Sequence, residues 1–203
     1  YYPDLRDARL ESRAVIGHNR YSTNTATVFE RVQPFSLLGH NGEINTIASL
    51  REQMRQAGIL PCRGGSDSQD LNRALGGLLY QYEVGLPEAM EMLFPPILGE
   101  VRTMPGEFQD LYMRHRQAWG PYAQGPAAIA ARAGEYLVGS VDALGLRPLW
   151  VLETEEAFFL SSEPGIVSPK EMLSDPRPLA PGEKVAFRLA VGRPEVIAYP
   201  ALR

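Results

Sequence analysis

The pattern of apolar and polar positions divides the chain into a strand-like opening, a helical middle and a strand-rich end. Ala14-Val15-Ile16-Gly17 is a short apolar run that reads as a buried strand. It leads into the polar segment His18-Asn19-Arg20-Tyr21-Ser22-Thr23-Asn24-Thr25. A second run, Phe35-Ser36-Leu37-Leu38-Gly39, ends in His40-Asn41-Gly42, and Asn-Gly is a strong turn signal because both residues tolerate positive φ. From Ile44 the period becomes helical, with Ile44, Ile47, Leu50 and Met54 on one face and Gly58 as the stop. Ser66 or Asp67 can cap the next helix, since either side chain accepts a bond from a free amide of the first turn. That helix carries Leu71, Leu75, Leu78 and Leu79 as its stripe. Shorter helices are expected from Pro87 to Phe94, where Pro95-Pro96 ends the run, and from Phe108 to Trp119.

After Gly125 the texture changes. Ala127 to Ala131, Tyr136 to Val141, Pro148 to Leu152 and Ala157 to Ser161 are short apolar runs. Arg132-Ala133-Gly134-Glu135 and Glu153-Thr154-Glu155-Glu156 form the tips of two hairpins, and Lys184 to Leu189 pairs with Glu195 to Tyr199 around Gly192-Arg193-Pro194. Strands, then helices, then an antiparallel meander predict an α+β layered domain, not a doubly wound parallel sheet. With no internal repeat or long linker, residues 1–203 read as one domain.

Composition narrows the function classes. Twenty Lys and Arg against 24 Asp and Glu give a net charge of −4, and the basic residues are scattered, so no nucleic-acid partner is expected. No apolar run approaches the ~20 residues of a membrane span, so no membrane partner is expected either. The single cysteine, Cys62, excludes an intramolecular disulfide framework and fits a reducing cytoplasm. Three histidines and one cysteine, widely spaced, make no metal site by the usual ligand spacings.

Three polar clusters carry candidate chemistry. Arg20 follows the first run, and its planar guanidinium suits a ligand carboxylate through two parallel charge-assisted bonds. Asn41-Gly42 follows the second; a side-chain amide and a glycine N–H without a Cβ in the way can point two donors at a developing oxyanion. Asp67, in Gly64-Gly65-Ser66-Asp67-Ser68, offers a negative group to an α-ammonium. Together they would hold an amino acid by both charged ends while polarising a carbonyl. Taken singly, an arginine at a strand end, an Asn-Gly turn and a capping aspartate are ordinary structural features. His18 and His40 read as satisfied structural histidines.

The wording of these clusters resembles the class II glutamine amidotransferases. His18 to Thr25, Gln33-Pro34-Phe35 and His40-Asn41-Gly42-Glu43-Ile44-Asn45-Thr46 carry the likeness. The Ser22-Thr23-Asn24-Thr25 and His40-to-Thr46 strings, with Tyr2-Pro3-Asp4-Leu5, favour the glutamate synthase branch over the phosphoribosyl-pyrophosphate, hexosamine and asparagine relatives. Ser66-Asp67-Ser68, Gly125-Pro126-Ala127-Ala128, Asp142 to Pro148, Ser162-Glu163 and Leu179 to Gly182 extend it through the chain; Asp142 to Pro148 is shared with the phosphoribosyl-pyrophosphate branch.

The resemblance implies an N-terminal-nucleophile hydrolase-like fold, a four-layer αββα sandwich of two antiparallel sheets between helices, here lacking its first strand. It implies that L-glutamine is hydrolysed to glutamate and ammonia, and that ammonia is channelled to a synthase domain or subunit acting on 2-oxoglutarate. By position, Arg20 would hold the α-carboxylate with Thr23 nearby, Asn41 and Gly42 would form the oxyanion hole, and Asp67 would take the α-ammonium. Asp142 and Arg147 would brace the second sheet. FMN and an iron–sulfur cluster would belong to the synthase part, and no cofactor is expected in this chain.

The family nucleophile is a cysteine at position one of the mature chain, with its own α-amino group as base. Tyr1 cannot play that part, and Cys62 is internal at Leu60-Pro61-Cys62-Arg63-Gly64, with no α-amino group of its own. These residues alone are therefore expected to be inactive, with the cysteine supplied by an upstream segment or by a partner chain. A degenerate, non-catalytic glutamine-binding module and the purine-pathway branch stand as alternatives.

Overall fold

The computed structural model describes residues 3–19, 28–118, 123–189 and 192–199. A first strand, β1 (Leu38–Gly42), precedes five α-helices: α1 (Ile47–Gln56), α2 (Asp67–Tyr80), α3 (Leu86–Leu93), α4 (Leu98–Val101) and α5 (Gly106–Ala118). Seven strands follow: β2 (Ala127–Ala133), β3 (Tyr136–Val141), β4 (Trp150–Glu153), β5 (Phe158–Ser161), β6 (Arg177–Pro178), β7 (Lys184–Arg188) and β8 (Glu195–Ala198). They form a five-stranded sheet in the order β1-β2-β3-β7-β8 and a three-stranded sheet in the order β5-β4-β6, antiparallel throughout.

The two-residue period of the strands sorts side chains between two cores. Leu38, Ala127, Ile129, Ala131, Val138 and Ala186 face the helices and pack with Leu50, Met54, Leu71, Leu75, Leu78, Met90 and Leu93. Their neighbours Ala128, Val141, Val185 and Phe187 face the second sheet and meet Leu149, Val151, Phe158 and Leu160. The central strands are thus covered on both sides, and helices, sheet and sheet make three of the four implied layers among the described residues. Small residues permit the close fit: a Cβ on Gly139 would lie 2.8 Å from Leu160 Cδ1.

The helical periodicities hold. Leu50 and Met54 of α1 are buried, as are Leu71, Leu75 and Leu78 of α2, while Leu79 is half-buried. Ser66, not Asp67, caps α2: its Oγ accepts from Gln69 N, and Gln69 Oε1 accepts from Ser66 N, a reciprocal box. Lys184 is fully buried on the helix side of β7, yet each of its three donors is satisfied. Its Nζ lies 2.7 Å from Glu91 Oε2, 2.9 Å from the Phe94 carbonyl and 3.2 Å from the Gly182 carbonyl. The hydroxyls of Tyr112 and Tyr199 donate to the same Glu91 carboxylate, tying α3, α5 and the end of β8 together.

Three expectations are corrected. Ala14 to Gly17 forms no strand and is not buried: Val15 is 81% exposed, and no described strand pairs with the run, so its apolar pattern has no ladder to join. Strand β1 begins only at Leu38, because Phe35 N donates back to Leu38 O and Leu37 N to Asn72 Oδ1. Helix α1 starts at Ile47 instead of Ile44; Ile44 keeps its place in the core while its amide is held by Asp67. Among the described residues no helix is long and apolar enough to cross a membrane.

Candidate functional site

The site is built where the C-terminal end of β1 meets the N-terminus of α2. Asn41 and Gly42 are not a free turn but the last two residues of β1, paired with Ala128 and Ala127. In an antiparallel ladder, successive residues bond alternately to opposite sides. Glu43 N donates to Pro126 O on the β2 side, whereas His40 N and Ile44 N donate the other way, to Gln33 Oε1 and Asp67 Oδ2. Gly42 lies between them with the same orientation. Its N–H faces the outer edge of the sheet, and no acceptor for it is found among the described residues. Asn41 shares the face of Ala128, toward the space between the sheets. A carbonyl oxygen at that corner can accept from both donors.

Gly42 is held there by an interlocked crossing. Its φ is +147°, and a Cβ would stand 1.8 Å from the Pro126 carbonyl oxygen. One residue before that proline, Gly125 also has φ +147°, and its Cβ would stand 2.1 Å from Glu43 O. Thr46 N donates to Gln124 O and Gln124 N to Thr46 Oγ1. Two backbones thus pass at a distance that only glycine allows.

Asp142 fixes the far side of this crossing. Its carboxylate accepts four backbone amides, from Ala127, Leu144, Leu146 and Arg147, at 3.0–3.1 Å. It therefore shapes the 142–147 loop and pins Ala127, the partner of Gly42. Removing it as Asp142→Ala is expected to cost about 3 kcal/mol, since a buried amide and three loop amides lose a charge-assisted acceptor. Asp142→Asn should cost less. Urea unfolding checks both.

The carboxylate of Asp67 is three-quarters saturated. Oδ1 accepts from Ser68 N at 2.7 Å and Ser68 Oγ at 3.2 Å, and Oδ2 accepts from Ile44 N at 2.9 Å. An ionised carboxylate offers about four lone-pair sites, so one remains on Oδ2 among the described residues. The half-buried position at the first turn of α2 suits a negative charge, because the helix dipole is positive there. One free acceptor beside two donors fits a ligand carrying an ammonium and a carbonyl.

Behind Asp67 lies His40, 2% exposed. Its Nδ1 is 2.9 Å from Ser68 Oγ, and the side chain of Gln33 brackets its backbone, accepting from His40 N and donating to His40 O. Burial lowers the imidazole pKa to about 4, only partly opposed by the Asp67 charge and by a bond to the Pro126 backbone; His18 and Arg147 push in the same direction as burial. His40 is thus neutral in the folded protein at neutral pH, while an unfolded chain protonates it near 6.5. The unfolded state binds the extra proton, so stability is full above pH 6.5 and falls as pH drops toward 4. The loss reaches about 3 kcal/mol, and a His40→Gln variant should lack this part of the pH dependence in urea midpoints.

The loop leading into α2 is anchored separately. Asp70, fully buried, accepts from Arg51 Nε at 2.6 Å and from Cys62 N at 2.6 Å, and Arg51 also donates to Gly65 O. Cys62 is half-buried in this loop, a structural setting. Asn41 and Gly42 end β1, and Asp67 is tied to that strand end through the amide of Ile44. Arg20 and Thr23 lie outside the described residues. Sequence reasoning passed over Gln33, Ser68 and Asp70. Gln33 and Ser68 stand within strings that carried the family likeness, but no role was read for them.

Among the described residues no group of three or more His, Cys, Asp or Glu is placed to hold a metal. An iron–sulfur cluster takes several cysteine thiolates, which one cysteine cannot furnish.

The strand end with its edge-facing glycine amide and the carboxylate at the helix N-terminus belong to a two-sheet α+β domain. The model of the family described as glutamine amidotransferases class-II matches residues 1–196. The chain belongs to that family. It is 34% identical to the glutamate synthase [NADPH] large chain of Azospirillum brasilense, over 95% of this chain and 14% of that protein. It is 31% identical to the corresponding large chain of Bacillus subtilis, over 95% and 14%, and 31% identical to the glutamate synthase [NADH] of Saccharomyces cerevisiae, over 82% and 8%. The chain therefore spans 14% or less of these relatives' length. Its fold is that of the B. subtilis glutamine phosphoribosylpyrophosphate amidotransferase (TM-score 0.54, 20% identity, 90% of this chain and 34% of that one). A structure described as the allosteric regulatory enzyme of purine biosynthesis is similar (TM-score 0.52, 19% identity, 90% and 34%).

Proposed function

We propose that this domain hydrolyses L-glutamine to glutamate and ammonia as the amidotransferase part of a glutamate synthase, with ammonia handed to a synthase domain that uses 2-oxoglutarate. The observation that carries the reading is a lone pair on Asp67 Oδ2 and the Gly42 N–H, both without a partner among the described residues, a pairing that fits an α-amino acid with a side-chain carbonyl. The relatives at 31–34% identity named above are glutamate synthases, whereas the likeness to the phosphoribosylpyrophosphate enzyme carries the fold.

In this reading Asp67 takes the α-ammonium, and Arg20 with Thr23 takes the α-carboxylate. A cysteine thiolate attacks the side-chain amide carbon. Its electron pair forms the C–S bond, the carbonyl oxygen gains negative charge, and Asn41 Nδ2 and the Gly42 N–H stabilise that charge. Collapse breaks the C–N bond and the nitrogen leaves as ammonia after taking a proton. Water then cleaves the thioester to glutamate and regenerates the thiol. Cys62 is internal and beside a structural anchor, so the reading takes the nucleophile from outside these 203 residues, with a free α-amine as its base. FMN and an iron–sulfur cluster belong to the synthase part.

Isothermal titration of the full-length protein with L-glutamine tests the pocket. Asp67→Ala and Arg20→Ala should each weaken binding by about 2 kcal/mol or more, as expected for losing a charged partner. Unchanged affinity in both would reject this pocket.

A further inference from the structure

We propose that Ser68 is a positioning residue for the glutamine α-ammonium: its backbone N–H and its hydroxyl both hold Asp67 Oδ1, leaving Oδ2 turned to the ligand. The proposal rests on the reading of Asp67 as the seat of that ammonium.

A serine hydroxyl has one proton to donate and two lone pairs to receive with. Ser68 Oγ has three polar neighbours besides its own backbone: His40 Nδ1 at 2.9 Å, Gln33 Nε2 at 3.4 Å and Asp67 Oδ1 at 3.2 Å. The Gln33 carboxamide can only donate through Nε2, and its orientation is set by two further bonds. Oε1 accepts His40 N at 2.6 Å, and Nε2 also donates to His40 O at 3.0 Å. The ionised Asp67 can only accept.

Ser68 Oγ donates to Asp67 Oδ1 at 3.2 Å. Ser68 is 6% exposed, so water does not compete for it. Ser68 N holds the same Oδ1 at 2.7 Å, and the two bonds together fix the carboxylate plane. Ile44 N takes one side of Oδ2, and the remaining lone pair is directed. The chain Gln33–His40–Ser68–Asp67 thereby links the strand edge that carries the Gly42 N–H to the carboxylate at the start of α2.

The test compares two substrates in the full-length enzyme: L-glutamine and 4-carbamoylbutanoate, which is glutamine without its α-amino group. Ser68→Ala should raise KM for glutamine about tenfold, the loss of one charge-assisted bond, with kcat nearly unchanged. KM for 4-carbamoylbutanoate should not move, because that substrate has nothing for Asp67 to hold. Ser68→Thr, which keeps the hydroxyl, should restore glutamine KM. If Ser68→Ala does not fold, Ser68→Cys, a weaker donor, should give a smaller loss, again on glutamine alone. Equal losses on both substrates, or no loss on glutamine, would overturn the proposal and leave Asp67 in its role. Equal KM values for the two substrates in the unmodified enzyme would instead remove the Asp67 reading, and this inference with it.

Discussion

Asn41→Ala is expected to lower kcat for glutamine hydrolysis by about 10²- to 10³-fold, the usual loss when one oxyanion donor is removed, with little change in KM. The split follows from where charge develops. The ground-state amide oxygen needs its donors less than the tetrahedral intermediate does, so the Asn41 side chain acts mainly in the transition state. The structure also separates this effect from folding. Asn41 is half-buried, and its side chain makes no hydrogen bond to another described residue. Truncation should leave urea stability within about 1 kcal/mol of the parent. A variant that is stable yet keeps kcat within fivefold would remove Asn41 from the oxyanion site.

Gly42→Ala should fail differently, losing stability and activity together. The added methyl would stand 1.8 Å from Pro126 O and 2.7 Å from Pro126 C, both backbone atoms, at a φ of +147° that side-chain-bearing residues rarely adopt. Neither side can yield easily. Pro126 O is held by Glu43 N, and Ala127 is held by Asp142 Oδ2. Backbone strain of this kind costs roughly 1–3 kcal/mol per residue even before the clash, so a total of about 4 kcal/mol is expected. Relief requires β1 to shift against β2, which turns the Gly42 N–H away, so folded molecules should also lose more than about 10²-fold in kcat. Chemical denaturation and steady-state kinetics on one preparation distinguish the two losses. Native stability with native activity would mean that the crossing is looser than the geometry states.

Much of this was legible in the chain because the relevant signals are local. The runs at Tyr136 to Val141 and Lys184 to Leu189 became β3 and β7 almost to the residue, since apolar residues bounded by turn residues leave little choice. The caps and stripes of α2 were equally local. What escaped depends on partners distant in sequence. Val15 sits in an apolar run, but a strand exists only where another strand accepts its amides, and the run gives no sign of that. Asn41-Gly42 carries a strong turn signal and still ends a strand, because pairing with Ala127 and Ala128, more than 80 residues on, overrides local preference. The site shows the same division. Asn41, Gly42 and Asp67 are residues whose chemistry announces itself, and Asp67 holds the amide of Ile44 just beyond the other two. Gln33 and Ser68 are ordinary until the donors and acceptors around His40 are counted. The short α4 and two-residue β6 had too few residues to show a period.

The full-length protein that carries these residues is expected to release glutamate and ammonia from L-glutamine. Both products are to be quantified in a single-turnover assay without other substrates. Equal amounts of glutamate and ammonia, lost when the nucleophilic cysteine is alkylated, are the predicted result. No glutamate from a folded protein that binds glutamine would contradict hydrolysis at this site and leave it a glutamine-binding module.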